Sequence, residues 1–229
     1  MKSFSKIITV LLALFLFLSN SAAASSTCGS GKYTKHYMLP GPGEQDYDAD
    51  LALKARRFER VFHTFNAAPM GIGTDVVVRS ENTEKHRLIN DFIMKDDGWD
   101  FAKFSGGKTY MDVIDGWNKT AGLYAGVSIA ADAFRYAVLR DQNADCAEID
   151  IARKHLIAAL DAMHIAFEIG GKPGVVARGL FKKDLPGGTA SIETMPLKDE
   201  QGRPLPLVKD NGRWRDDFSG KHPDYKWED

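Results

Sequence analysis

The sequence lacks three features that would each decide its class. It has only two cysteines among 229 residues, too few for a small domain held together by disulfides. Its 30 basic residues face 31 acidic ones, which argues against a polycationic surface for nucleic acid. A membrane-spanning helix needs about 18 apolar residues in a row, and no run beyond the N-terminus is that long. What remains is a chain with 44% apolar residues, enough to build a real core.

The N-terminus has the pattern of a secretory signal peptide. Lys2 and Lys6 form a positively charged region, and an apolar run from Ile7 to Leu18 follows it. This run is too short to span a bilayer, and small residues lead up to Ala24, after which we expect cleavage. The sequence therefore predicts that residues 1–24 are removed and that the protein is secreted or periplasmic.

The two cysteines lie far apart, with Cys28 close to the cleavage site and Cys146 between two of the helices predicted below. In an oxidising compartment they can form one disulfide that ties the N-terminal arm to the helix connection. Lipid anchoring at Cys28 is the less favoured alternative, because residues 25–27 lack the aliphatic side chain typical of such signals.

The hydrophobic pattern predicts a mainly α protein with long loops and at most one short strand. Residues 25–47 are rich in Gly, Ser, Pro and Tyr and indicate an extended arm, and residues 48–229 form a helical domain. Apolar residues recur at helical spacing in four segments of this domain. The four predicted helices cover residues 50–65, 84–94, 120–141 and 147–168.

The last two predicted helices differ in kind. No residue from Thr120 to Ala131 is charged, and Asp132 and Arg135 then stand on an apolar background. A helix that is apolar nearly all round must be covered on every side, whereas the next helix has one apolar stripe and one charged face. We therefore predict an inner and an outer helix that pair as an αα-hairpin.

The segment from Gly116 to Leu180 resembles a known family. It begins with GWNKTAGLYAGVSIAADAFRYAVLRD, continues with the amphipathic ARKHLIAALDAMHIAFEI and ends with GGKPGVVARGL. This arrangement is similar to the hairpin unit of six-hairpin glycosidase-like proteins, the (α/α) toroids that include unsaturated glucuronyl hydrolases. The resemblance implies an (α/α) toroid, an oligo- or polysaccharide partner, and a site of carboxylates and aromatic rings at one end of the barrel.

A closed ring of six hairpins needs about twelve helices, more than the sequence predicts here. Beyond Leu180 the chain is rich in Pro, Gly and charged residues and shows no long amphipathic pattern. We therefore expect the chain to be an N-terminal portion of a toroid. An incomplete ring would leave an open apolar face, through which copies would self-associate.

The resemblance and the loop composition together select the candidate site residues. One carboxyl group would protonate the departing oxygen and another would activate water, while aromatic rings would stack on the sugar. A structural role as a helix cap, an ion pair or a packed ring is the alternative for each of them. The candidate catalytic residues are Asp115, Glu228 and Asp229. The candidate substrate-binding residues are Trp99, Trp117, Tyr124, Arg178 and Trp227.

No pattern in the sequence indicates a metal or a cofactor. The segment from Ser105 to Thr109, SGGKT, lacks the first glycine of a phosphate-binding loop. The acidic DYDAD segment lacks the glycine and glutamate of a calcium-binding loop. His155 and His164 fall on opposite faces of one helix, so the histidines are not expected to share a metal.

These observations predict an exported protein that binds or acts on carbohydrate, a glycoside hydrolase fragment if it is an enzyme. The alternative is a non-catalytic binding or interaction module on an α/α scaffold, because no spacing in the sequence establishes an acid and base pair. Neither a nucleic-acid partner nor a membrane span is expected.

Overall fold

A computed structural model describes residues 39–95, 98–117, 122–185, 194–195 and 214–228. Over these ranges the chain is mainly α-helical, as the sequence predicts. The helices are α1 (Ala49–Val61), α2 (Thr83–Lys95), α3 (Phe101–Ser105), α4 (Tyr110–Val113), α5 (Gly122–Asp141) and α6 (Cys146–Glu168). A π-helical turn, Phe62–Asn66, continues α1. None of the described helices combines the length and the hydropathy that crossing a bilayer requires. The predicted signal peptide and most of the predicted arm fall outside the described residues.

In the described ranges two short sheets accompany the helices, so the prediction of at most one strand was wrong. β1 (Val76–Val77) pairs antiparallel with β2 (Gly116–Trp117). The second sheet has the strand order β3, β6, β5, β4. Its strands are β3 (Gly179–Lys182), β4 (Thr194–Met195), β5 (Trp214–Asp216) and β6 (Tyr225–Glu228). Strands this short show no usable alternation of apolar and polar residues, and β3 finds its partner β6 only after a long intervening segment.

The main core is built around phenylalanine rings that α2, α3 and the end of α1 bring together. We call Phe65, Phe92 and Phe101 the phenylalanine core; their rings pack edge to face with centroids 5.1 to 6.1 Å apart. Arg60 is buried beside them and donates hydrogen bonds to the carbonyl oxygens of Gly98 at 2.7 Å and Phe92 at 3.0 Å. The core therefore encloses the charged guanidinium group of Arg60, and backbone carbonyl oxygens accept its hydrogen bonds.

The α5 and α6 helices pack against each other as the predicted αα-hairpin. Val127 and Phe134 of α5 are exposed. The helix is therefore not covered on every side, and an apolar face stays open. The apolar stripe predicted for α6 includes Leu160 and Phe167. Both are exposed, so this part of the prediction was wrong. The side chains that α6 buries are mostly alanines, which allow neighbouring backbone to approach closely: Ile149, Ala152, Ala159, Ala162 and Ala166. The predicted self-association would depend on the exposed apolar side chains.

Candidate functional site

Charged and imidazole side chains, some buried and some partly exposed, come together where α1, α5 and α6 meet. We call this group the paired-histidine cluster and define it by Glu59, His63, Asp132, Arg135 and His155. Glu59 and His63 are one turn apart at the end of α1, and Asp132 and Arg135 are one turn apart on α5. His155 comes from α6. Each of the three helices therefore contributes to the cluster.

The π-helical turn and a glycine bring His63 against α6. Turns of this type are rare and are frequent at functional sites, and His63 lies within this one. In the loop that follows, Gly71 has φ of 82° and its backbone packs on the carbonyl oxygen of Ala158, where a Cβ atom would collide. The rings of His63 and His155 stack, with centroids 3.6 Å apart and planes 10° from parallel.

Hydrogen bonds satisfy only part of the cluster. His63 Nε2 lies 2.9 Å from Asp132 Oδ1, and the two side chains are 6% and 8% exposed. Asp132 Oδ2 and His155 Nδ1 are buried without a hydrogen-bond partner among the described residues. Leaving a buried polar atom unpaired costs about 1 to 3 kcal/mol. These two unpaired atoms therefore lower the stability of the fold.

A line of ion pairs leads from the cluster toward the surface. Glu59 Oε2 lies 2.6 Å from Arg135 Nε. The same guanidinium group places Nη2 3.7 Å from Glu148 Oε2, and the other oxygen of Glu148 is 2.7 Å from Arg56 Nη2. Two carboxylates and two guanidinium groups thus alternate along this line.

Trp99, one of the predicted substrate-binding residues, lies beside the cluster. Its indole N–H donates a hydrogen bond to Glu148 Oε1 at 3.0 Å, and its ring centroid is 5.3 Å from that of His155. The guanidinium carbon of Arg56 is 5.8 Å from the centre of the indole ring. Trp99 therefore joins the stacked imidazoles to the ion pairs.

Burial sets the protonation states of the cluster. It raises the pKa of Glu59 above the usual range of a glutamate, although the neighbouring Arg135 opposes that shift. Burial, helped by the adjacent His63, lowers the pKa of His155 to about 4. Burial also acts to raise the pKa of Glu148, but hydrogen bonds from Arg56 and Trp99 outweigh it and lower the value. At neutral pH, His155 is therefore a neutral imidazole and Glu148 a carboxylate.

An open groove of about 760 Å³ ends at the line of ion pairs. Its lining includes Leu51 of α1 and Phe134 of α5 together with the charged Arg56 and Glu148. The ring of Phe134 is 68% exposed. A concave surface with apolar walls and a few converging polar groups is typical of small-molecule sites.

Asp115, a predicted catalytic residue, holds β2 to the loop before α2. Its carboxylate accepts hydrogen bonds from Lys85 Nζ at 2.6 Å, the Arg79 backbone N–H at 2.8 Å and the Asn82 amide at 2.9 Å. The Lys85 ammonium group, followed by the other two donors, holds the pKa of Asp115 well below its usual range. A carboxyl group held in this way does not donate a proton near neutral pH. Its contacts give Asp115 a structural role.

The other predicted residues that the structure describes lie at the second sheet. Trp227 is fully buried and its indole N–H donates to the Asp216 carbonyl at 2.9 Å, so the prediction that its ring stacks on substrate is wrong. Glu228 is buried with its side chain against Gly179. Arg178 is exposed, and its backbone N–H donates to the Glu228 carbonyl at 2.8 Å.

The remaining predicted residues fall partly or wholly outside the described part of the chain. Asp229 lies beyond it, as do the side chains of Trp117 in β2 and Tyr124 in α5. Cys146, the first residue of α6, is disulfide-bonded. Its predicted partner, Cys28, lies outside the described residues.

The sequence-based prediction of separate histidines was wrong for His63 and His155. His155 and His164 do lie on one helix, α6. His63, however, reaches the cluster from the end of α1. The signal that could have revealed the site was the pair Asp132 and Arg135 on a largely apolar helix, because charges on a packed helix need partners.

No protein-family model, no curated protein and no solved structure matches this chain. The similarity of residues 116–180 to the six-hairpin glycosidase-like proteins therefore stays a resemblance of sequence pattern.

Proposed function

We propose that the protein is an exported carbohydrate-active or carbohydrate-binding protein of the six-hairpin glycosidase-like type, with an oligosaccharide lying in the groove that ends at Arg56 and Glu148. The observation that carries this proposal is the exposed ring of Phe134 in the same groove as these charged groups. A sugar ring has an apolar C–H face that packs on an aromatic ring. Its hydroxyl groups need the few converging polar partners that such a groove provides.

The sequence adds two supports to the proposal. The signal-peptide pattern of residues 1–24 favours export. The likeness of residues 116–180 to the hairpin unit of (α/α) toroids favours the same class of substrate. In a hydrolase of this kind, Glu148 would be the ionised carboxylate that activates water, because it lines the groove and its pKa is lowered.

A binding experiment with two phenylalanine variants tests the proposal. Phe134→Ala should weaken binding of an oligosaccharide about tenfold or more, because it removes both stacking and apolar area. Phe58→Ala is the matched control, since Phe58 is 66% exposed on α1 and does not line the groove. Isothermal titration with the best ligand from a glycan array measures both. Absence of binding to any glycan, or equal losses in the two variants, would contradict the proposal.

The second candidate is a non-catalytic binding module in the same groove. It is favoured by the engagement of Asp115 with three donors, which leaves this predicted catalytic carboxyl group without a proton to donate. Reducing-sugar release by the wild type that Glu148→Gln abolishes would establish an enzyme. Glycan binding without turnover, unchanged in Asp115→Asn and Glu228→Gln, would establish the module.

A further inference from the structure

Three side chains of the paired-histidine cluster bring metal-ligand atoms together. Glu59, His63 and His155 each offer one nitrogen or oxygen atom, and these atoms lie within 4.8 Å of one another. They come from α1 with its π-helical turn and from α6, so the packing of two helices creates the group. Two imidazoles and one carboxylate form a ligand set typical of catalytic zinc, which keeps its fourth position open for water or substrate.

A separate observation points to a ligand at the same place. His155 Nδ1 has no hydrogen-bond partner among the described residues and lies 4.0 Å from Glu59 Oε1. Asp132 Oδ2 is also unpartnered, on a side chain that is only 8% exposed. A buried polar atom without a partner needs an explanation, and an ion that accepts the lone pair of His155 Nδ1 supplies one for that nitrogen.

We propose that Glu59, His63 and His155 bind a divalent cation of the zinc type. Asp132 would act as a positioning residue: its Oδ1 lies 2.9 Å from His63 Nε2 and would fix the proton on that nitrogen. Such a carboxylate contact leaves the other imidazole nitrogen free to coordinate and makes it more basic. The inference concerns metal binding, so it holds or fails independently of the proposed carbohydrate function.

The charges around the site are compatible with binding of a cation at moderate affinity. Glu59 Oε2 faces Arg135 at 2.6 Å, whereas Glu59 Oε1 faces His155. Counted together, the carboxylates of Glu59, Asp132 and Glu148 exceed the two guanidinium groups of the ion-pair line by one. The neutral form of an imidazole is the one that coordinates a metal.

Metal binding has a structural consequence that can be observed. Two imidazoles coordinate one ion along directions in their own ring planes, whereas the rings of His63 and His155 now lie face to face. Coordination therefore requires the two rings to tilt apart. Trp99, whose ring is 5.3 Å from that of His155, would report this movement through its fluorescence.

The experiment is a zinc titration of the purified, chelator-treated protein by calorimetry, repeated with cobalt to read the visible absorption of the bound ion. The wild type should bind one zinc ion. With cobalt, it should show the visible absorption of an ion of low coordination number. His155→Ala should lose the site. Glu59→Gln, which preserves shape, should weaken zinc binding by about tenfold or more, and Asp132→Asn by about 10- to 100-fold.

His164→Ala is the matched control, because His164 is exposed on the same helix beside Glu168. It should bind zinc as the wild type does. Circular dichroism and thermal melting check that each variant folds, and zinc should raise the melting temperature of the wild type but not of His155→Ala. If His155→Ala does not fold, the wild type and Glu59→Gln decide. No saturable binding, or loss of binding in His164→Ala with retention in Glu59→Gln, would overturn the inference.

Discussion

The phenylalanine core and the paired-histidine cluster are two buried regions on opposite sides of the same helix end. Each encloses charge. In the core, Arg60 donates to the carbonyl oxygens of Gly98 and Phe92 and lies 4.4 Å from the centre of the Phe92 ring. In the cluster, Asp132 is about as well buried, but one of its carboxylate oxygens has no partner within the described part of the chain.

The difference separates residues that hold the fold from residues available for binding. A buried charge whose hydrogen bonds are all made stabilises the arrangement around it, and its removal leaves unpaired partners. A buried charge that is only partly paired contributes little to stability and is more easily explained by a ligand. The two adjacent residues Glu59 and Arg60 therefore belong to regions with different roles.

The largest effect is expected in the core. Phe92→Ala should lower the free energy of unfolding by about 3 to 5 kcal/mol, because it removes a fully buried ring and leaves a cavity. Phe134→Ala, which truncates an exposed ring, should change it by less than about 0.5 kcal/mol. Urea denaturation of both variants measures the difference. Equal losses would mean that the core is not where the stability resides.

Arg60→Met should cost about 3 kcal/mol, since it leaves two carbonyl oxygens without their charged donor. Arg60→Lys should cost less, because one ammonium group can still reach one of these oxygens, although it lacks the planar fork of a guanidinium group. Chemical denaturation of the two variants ranks them. If Arg60→Met left the free energy of unfolding unchanged, the contrast between the two regions would disappear.

Asp132→Asn should change the free energy of unfolding by less than about 1 kcal/mol, because the amide can still accept from His63 and no longer buries a partly paired charge. Its zinc affinity should nevertheless fall, by the factor given above. Thermal melting and zinc titration on the same sample test this split. A variant as unstable as Phe92→Ala would show that Asp132 is part of the structural framework.

Local signals predicted the helices well. Asp48 and Asp145 accept hydrogen bonds from the backbone N–H groups of Leu51 and Ala147, and so fix the starts of α1 and α6 close to their predicted positions. The burial of each helix was harder to predict. The apolar spacing of α1 predicts that Leu51 and Phe58 face inward, but both are exposed and Arg60 is buried. Packing partners rather than periodicity decide which side of a helix faces the core.

The site was predicted only in part. Trp99 was selected as a loop tryptophan and does lie beside the cluster. The stacking of His63 on His155 depends on the π-helical turn and on the close approach of Gly71 to α6, and no local pattern encodes the distance between two helices. The pairing of β3 with β6 was missed for the same reason.

The smallest effect is expected at Asp115, the fully engaged carboxylate that contrasts with Asp132. Its folded-state pKa is held below that of the unfolded chain, first by Lys85 and then by the N–H of Arg79 and the amide of Asn82. Its contribution to stability is therefore complete above the unfolded pKa of about 3.9 and is lost as the pH falls from there toward the folded value. Asp115→Asn should be less stable than the wild type at neutral pH, and the gap should narrow in acid. Urea denaturation at neutral pH and in acid measures it, with the exposed Asp161→Asn on α6 as control. A gap that does not change with pH would mean that the ionisation of Asp115 contributes nothing to the difference, which would contradict this prediction.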